Sequence, residues 1–280
     1  MVSKSQYGER DVKTCKAVLL EFFHLIGEIK DEVVLIGGWT PYFLFSQSED
    51  PHIGSLDIDV ALNFSNISDD TYDTINRTLT KSGYIQDEKQ PFRFFRQVNI
   101  EGEESIKVEV DLMAGEYGGT GKRHRTQIVQ DVHARKIRGC DLAFSETINV
   151  IIEGELPDGG KDKLSFKVIG IVSFIVMKGL SMYERMKEKD AYDIFYCIRH
   201  YSGGVEGLAE KFKPRIKNKL VVEGLRKLKS KFDTVEHVGP KWVADFLEIT
   251  DKEDRDIVIR QVYEEVNKLL SILGISSWEE

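Results

Sequence analysis

The chain has 280 residues, with 39 Lys and Arg against 47 Asp and Glu for a formal charge of −8, and is 41% hydrophobic and 31% charged. This is a globular composition, long enough for two domains; it excludes a disordered or fibrous chain, and its longest apolar run, Ile169 to Met177, is broken by Gly170 and Ser173 and falls far short of the ~20 residues of a membrane helix. The acidic total argues against a purely electrostatic nucleic-acid binder, because phosphate neutralisation needs clustered Lys and Arg, yet it is compatible with local basic patches.

Apolar residues Val12, Leu19, Phe22, Phe23, Ile26 and Ile29 recur at helical spacing and predict an amphipathic helix over Asp11–Ile29. Val33–Ile36 reads as a strand, ended by Gly37-Gly38 and followed by a short helix with Pro41 in its first turn. A polar loop, Gln47–Gly54, leads into the strand SLDIDVALNF. A helix over Asp69–Ser82 and three strand-like runs follow, Phe92–Ile100, Ile106–Met113 and Ile148–Glu153. From Val172 onward the pattern is helical: Val172–Met186, Asp190–Tyr201, Val205–Phe212, Lys217–Lys231, Lys241–Leu247 and Glu253–Leu273. The change near residue 170 predicts an α+β protein in two domains, 1–170 with a mixed sheet and flanking helices and 171–280 helical.

The chemistry concentrates in carboxylates. Asp57 and Asp59 stand at i and i+2 of one strand, so both project from one face while Ile58 and Val60 face the core. Such a pair is either the solvated face of an amphipathic strand or, where the like charges are drawn together, a seat for a divalent cation. Lys107-Val108-Glu109-Val110-Asp111-Leu112 repeats the pattern and offers Asp111 as a third carboxylate from another strand. Three carboxylates converging on one sheet edge suit two Mg²⁺ ions, one on nucleotide phosphates and one on an acceptor oxygen. Gly37-Gly38 lets backbone approach a ligand closely, and the start of the following helix offers N–H groups to phosphate oxygens.

GGW, then SLDIDVAL, then VEVDLM resembles the nucleotidyltransferase superfamily with a polymerase-beta-like core. MKGLSMYERMKEKDAYDIFYCIRH is similar to the Lys…Arg…Lys/Arg-Asp-x-x-Asp helix pair of the AbiEii/AbiGii toxin family of type IV toxin–antitoxin systems. The matching stretches span about residues 33–200. The resemblance implies a nucleotidyltransferase-type sheet closed by the helical domain, with an NTP bound between them. Asp57, Asp59 and Asp111 would bind metal, with Asp111 also positioning or deprotonating the attacking hydroxyl. Gly37, Gly38, Thr40 and Ser55 would hold phosphate, Lys178 and Arg185 would contact the triphosphate, and Asp193 would act beside Lys178. It further implies transfer of NMP to an acceptor such as tRNA or another RNA and restraint by a cognate antitoxin; a small-molecule or protein acceptor, or a non-catalytic relative, are the alternatives. Two departures stand out. The spacer between Gly38 and Asp57 holds 18 residues, implying an insertion near Gln47–Gly54, and Ile53 stands where the family often has a basic residue.

If Val172–Arg199 were one helix, Lys178, Arg185, Lys189 and Asp193 would share a sector of about 80°. Asp190 also reads as an N-cap, in which case the helix breaks at Lys189 and the sector holds only Lys178 and Arg185. Lys178, embedded among Ile175, Val176, Met177 and Leu180, needs a charge partner nearby. Two basic excesses, +5 over Gly121–Gly139 and +6 over Val205–Lys231, are either solvated faces or a surface guiding a polyanionic acceptor. The six histidines lack zinc spacing, Cys15, Cys140 and Cys197 form no C-x-x-C, and neither G-x-S-x-G nor a Walker A sequence occurs. Odd, scattered cysteines and an N-terminal stretch without an apolar h-region predict a reducing, cytoplasmic setting.

Overall fold

The structure, a computed structural model, describes residues 2–27, 29–63, 69–100, 102, 104–115, 126–129 and 132–278, with the backbone alone at 69–74, 126–129, 132 and 133. The chain divides into two compact units, a sheet unit of residues 8–43 and 54–170 and a helical unit of residues 1–7, 44–53 and 171–280.

The sheet unit opens on helix α1 (Glu9–Leu25), whose Val18, Leu19, Leu20, Phe22 and Phe23 are buried. It ends before Gly27, three to four residues earlier than the apolar spacing predicts, because Ile26 and Ile29 are buried from a turn rather than from a fourth helical row. The strands are β1 (Val33–Ile36), β2 (Asp57–Leu62), β3 (Tyr84–Gln86), β4 (Arg93–Val98), β5 (Ile106–Gly115), β6 (Thr126–Val129), β7 (Val132–Ile137), β8 (Thr147–Glu155) and β9 (Lys161–Ile169), with short helices α2 (Thr40–Leu44) and α3 (Asp69–Lys81) between them. Among the described residues they form one mixed nine-stranded sheet in the order β3-β4-β5-β2-β1-β9-β8, while the end of β5 also carries β7 and, beyond it, β6. Pairs β1–β2 and β4–β5 are antiparallel, whereas β2–β5 and β1–β9 are parallel. Alternation decides the faces. Leu35, Ile58, Val60, Val110, Leu112 and Val168 are fully buried, and the Phe23 ring of α1 stacks on Phe166 at 4.2 Å between centroids. Each such side chain stabilises the unit by about 1.5–3 kcal/mol on burial.

Strand β9 has Leu164, Phe166 and Val168 at period two and is the parallel neighbour of β1, a strand absent from the sequence expectation. The short runs β3 and β7 also escaped it, because three to six residues of mixed polarity carry no periodic signal.

In the helical unit, α4 (Ile171–Glu184), α5 (Glu188–Arg199), α6 (Gly204–Phe212), α7 (Lys219–Lys231), α8 (Val238–Phe246) and α9 (Lys252–Ile272) bury Phe174, Phe195, Phe212, Phe232 and Phe246. Helices α4 and α7 cross at Gly179 and Gly224, where a Cβ on either glycine would overlap backbone of the other helix. Neither reading of Val172–Arg199 holds in full: the helix breaks at Arg185–Lys187, and Asp190 sits in the first turn of α5 rather than at its cap. Among the described residues, no helix is long and apolar enough to cross a membrane.

Candidate functional site

Asp57 and Asp59 leave β2 on the face opposite the buried Ile58 and Val60. The parallel register with β5 sets Asp57 beside Glu109 and Asp59 beside Asp111. At a ladder spacing of ~4.8 Å this makes a two-by-two patch of carboxylates on one face. On the other side of β2, Ile36 of β1 pairs with Asp59, and the chain then turns at Gly37 with φ of +72°. A Cβ on Gly37 would overlap the Asp59 carboxylate. Only glycine allows this turn and this approach together. The glycine turn, the Asp-x-Asp strand and the third Asp, spread over more than seventy residues of sequence, therefore meet at one place in the sheet.

The carboxylates are individually held. The Ser55 hydroxyl donates to Asp57 Oδ1 at 2.6 Å, so Ser55, buried at the entrance to β2, orients this carboxylate rather than facing solvent. Arg93 of β4, the register partner of Asp111, donates from Nε to Asp111 Oδ1 and from Nη2 to Oδ2, both at 2.8 Å, and its Nη1 lies 2.7 Å from Glu109 Oε2. The two bonds to Asp111 lead the effects that hold the guanidinium protonated above its ordinary range. Gly38 is buried, and Thr40 is fully buried with its hydroxyl unpartnered among the described residues. Neither presents a side-chain atom to solvent.

Asp57, Asp59 and Asp111 are hard oxygen donors of the kind Mg²⁺ takes, and Mg²⁺ commonly needs only one or two carboxylates plus substrate phosphates. Asp57 and Asp59 fit that pattern. Asp111 is closed by the guanidinium, and no group of three His, Cys, Asp or Glu side chains is assembled for a metal among the described residues. The donor chemistry thus fits a divalent cation, with the third ligand engaged by Arg93.

Lys178, Arg185 and Asp193 belong to the helical unit, where they form a buried charge network. Lys178 Nζ donates to Asp190 Oδ1 at 2.6 Å and to Asp193 Oδ2 at 2.9 Å. Asp193, with no exposed surface, also accepts from Lys189 Nζ at 2.8 Å and from His52 Nε2 at 3.0 Å. Arg185 lies half exposed and donates from Nε to Asp190 Oδ2 at 3.1 Å. Burial alone would lower the Lys178 ammonium, but Asp190 and Asp193 outweigh it and hold it above its ordinary value. Burial alone would raise Asp193, but Lys178, Lys189 and His52 drive it well below the usual carboxylate range. Lys178 and Asp193 therefore satisfy each other inside the unit instead of presenting charge outward.

The network also fastens the loop before β2. Residues 44–53, which join the Gly-Gly turn to the Asp-x-Asp strand in sequence, fold with the helices. His52 stacks on Tyr192 at 5.5 Å, Tyr196 Oη donates to the Asp50 carbonyl at 2.7 Å, and Ser48 bonds His200 at 3.1 Å. The sequence does not mark His52 as a tie, because a lone histidine in a polar loop carries no spacing signal; its bond to the buried Asp193 follows only from the fold.

Burial depresses His52 from 6.5 to about 4, against the opposing pull of its bond to Asp193. The unfolded chain then binds the extra proton between those values, so stability is complete above pH 6.5 and is lost as pH falls toward 4, by about 3 kcal/mol at 1.4 kcal/mol per pH unit. The melting temperature should fall between pH 7 and 4, and His52→Gln should remove that part of the fall. An equal fall in the variant would contradict the assignment.

The basic excess over Gly121–Gly139 lies partly outside the described residues, which omit Lys122, Arg123, Arg125 and Asp131. In the helical unit the second excess is partly neutralised. Lys213 meets Glu210, Lys227 meets Glu223 at 3.1 Å and Lys229 meets Asp233 at 2.9 Å, while Lys227 and Lys231 lie over the Tyr183 ring. Lys211, Lys213, Lys217 and Lys219 are exposed. Compared with known proteins, the chain matches no family model and no curated protein.

Proposed function

We propose that the carboxylate face of the sheet unit is the active site of a Mg²⁺-dependent nucleotidyltransferase, an enzyme that moves NMP from an NTP to an acceptor hydroxyl. The observation that carries this reading is the meeting of Gly37 with Asp59 and of Asp59 with Asp111. An exposed carboxylate pair needs no glycine pressed against it, and a plain turn needs no acidic neighbour. Asp57 and Asp59 are the residues that would hold the cation, which when bound neutralises nucleotide phosphate charge. Backbone N–H groups at the Gly37-Gly38 turn would receive phosphate oxygens. The acceptor oxygen bonds to the α-phosphorus, the bond from that phosphorus to the bridging oxygen breaks, pyrophosphate leaves, and the hydroxyl proton passes to a carboxylate of this face.

The resemblance to the AbiEii/AbiGii toxins favours an RNA acceptor such as tRNA, with an antitoxin as restraining partner, and a cytoplasmic setting suits both. The network around Lys178 and Asp193 supports a positioning role for these residues rather than direct contact with the triphosphate. A second reading, a non-catalytic nucleotide-binding relative, is favoured by one observation, the Arg93 fork on Asp111. Incubation with NTPs, Mg²⁺ and total tRNA, followed by mass spectrometry of the RNA, tests the proposal. Wild type should add one nucleotide mass and Asp59→Asn should add none; an identical result for both proteins would remove the site assignment.

A further inference from the structure

The Arg93 fork is the feature of this face that the proposed reaction leaves unexplained. An arginine that merely paired strands would need one carboxylate. Arg93 engages two on the same strand, taking both oxygens of Asp111 and one of Glu109. Its side chain is 22% exposed and that of Asp111 only 9%, so the pair sits where solvent screens it weakly. Asp59, the register neighbour of Asp111 on β2, stands on the same face. The guanidinium is therefore bonded to a carboxylate whose strand is the immediate neighbour of the one carrying the carboxylate pair that would seat a divalent cation. Two cations cannot share this patch without repelling one another, and a bidentate fork occupies the Asp111 oxygens that a metal would use.

We propose that Arg93 is an internal counter-ion that holds Asp111 in the nucleotide-free protein and gives it up when a divalent cation binds beside Asp57 and Asp59. The inference rests on the nucleotidyltransferase reading and adds a positioning residue and a condition for assembly to it. Asp111 joins the cation only after the fork opens, and the released guanidinium, already on the correct face, is then available to the nucleotide phosphates, which match its planar donors. Without Arg93, Asp111 and Glu109 would lose the cation that bonds them. With it, the resting charge of the patch is reduced, and metal binding is weakened until nucleotide supplies a new partner for the guanidinium.

Mn²⁺ titrations followed by electron paramagnetic resonance, with and without a non-hydrolysable NTP analogue, test this in the full chain. Arg93→Gln should bind Mn²⁺ ~10-fold or more tightly than wild type in the absence of nucleotide, the size by which groups contacting a metal's ligands change its affinity, with the opposite sign because Arg93 competes with the metal for Asp111. Arg93→Lys, which keeps the charge and loses the fork, should fall between the two. Adding Asp111→Asn to Arg93→Gln should abolish the gain, which shows that it came through this carboxylate. Melting curves establish that each variant is folded, and if Arg93→Gln is not, Arg93→Lys carries the comparison alone. Equal or weaker Mn²⁺ binding by both Arg93 variants would overturn the counter-ion role while leaving the metal site standing. Absence of Mn²⁺ binding by every protein, even with the analogue present, would overturn both.

Discussion

Lys178→Met should lower the unfolding free energy by about 3–5 kcal/mol, seen as a drop of roughly 10 °C in melting temperature. Methionine matches the lysine stem in volume, so the loss comes from charge and not from a cavity. In the native protein the Lys178 ammonium, 6% exposed, answers two carboxylates that are themselves buried, Asp190 and Asp193. Its removal leaves Asp193 with Lys189 and His52, and Asp190 with the half-exposed Arg185, so that two buried carboxylates keep only one buried cation, Lys189, between them. Asp193→Asn should be similarly severe, since it removes the carboxylate that the Lys178 and Lys189 ammonium groups both bond. The double variant Lys178→Met/Asp193→Asn should lose less than the sum of the two, because each substitution removes the other's unpaired charge. Additivity of the two losses would mean that the network is not coupled as its geometry implies. If Lys178 instead served only to contact a nucleotide, Lys178→Met would leave the melting curve in place and alter nucleotide binding alone.

Gly37→Ala should reduce nucleotidyl transfer by about 100-fold or more while leaving the protein folded. The added methyl overlaps the Asp59 carboxylate, and the residue sits at φ of +72°, where alanine is strained. Either the turn or the carboxylate must shift, and displacement of a reacting constellation by about 1 Å commonly costs two orders of magnitude in rate. Gly159→Ala is the matched control. Its φ is +90°, so it carries a comparable backbone cost, but nothing lies within 4 Å of the added carbon. Activity measured at saturating NTP should separate them, with Gly159→Ala close to wild type. Equal activities would show that the approach of Gly37 to Asp59 has no part in catalysis.

Much of the α+β division and of the carboxylate face was legible in the residue order, for reasons that differ by element. Period two in Asp57-Ile58-Asp59-Val60 and Val108–Leu112 assigns faces whatever the strand's neighbours are, and the long helices from Val172 onward carry enough apolar residues at 3.6 spacing to stand out. What could not be read is pairing. The sequence contains an arginine at 93 at the start of a strand of mixed polarity, but that Arg93 faces Asp111 follows only from the antiparallel register of β4 on β5. Likewise Lys178 announced the need for a partner, and the identity of that partner depended on where the α4–α5 break fell. The break at Arg185–Lys187 puts Asp190 one turn into α5, within reach of Lys178 Nζ. His52 shows the same limit across a longer separation, 141 residues from Asp193. The triphosphate contact expected for Lys178 came from the likeness of its segment to the toxin family's helix pair, and such a likeness carries no information about burial or about which carboxylates lie nearby.

Under the proposed function, the face shaped by Gly37, Asp57, Asp59 and Asp111 transfers a nucleotidyl group. This is tested most directly by following two labels in parallel, one on the α-phosphate and one on the γ-phosphate of each NTP, in the presence of Mg²⁺ and RNA. The α-label should become covalently attached to the acceptor, the γ-label should appear in pyrophosphate, and Asp57→Ala and Asp59→Ala should abolish both. Transfer of the γ-label, release of inorganic phosphate without transfer, or α-label transfer that survives both substitutions would contradict it.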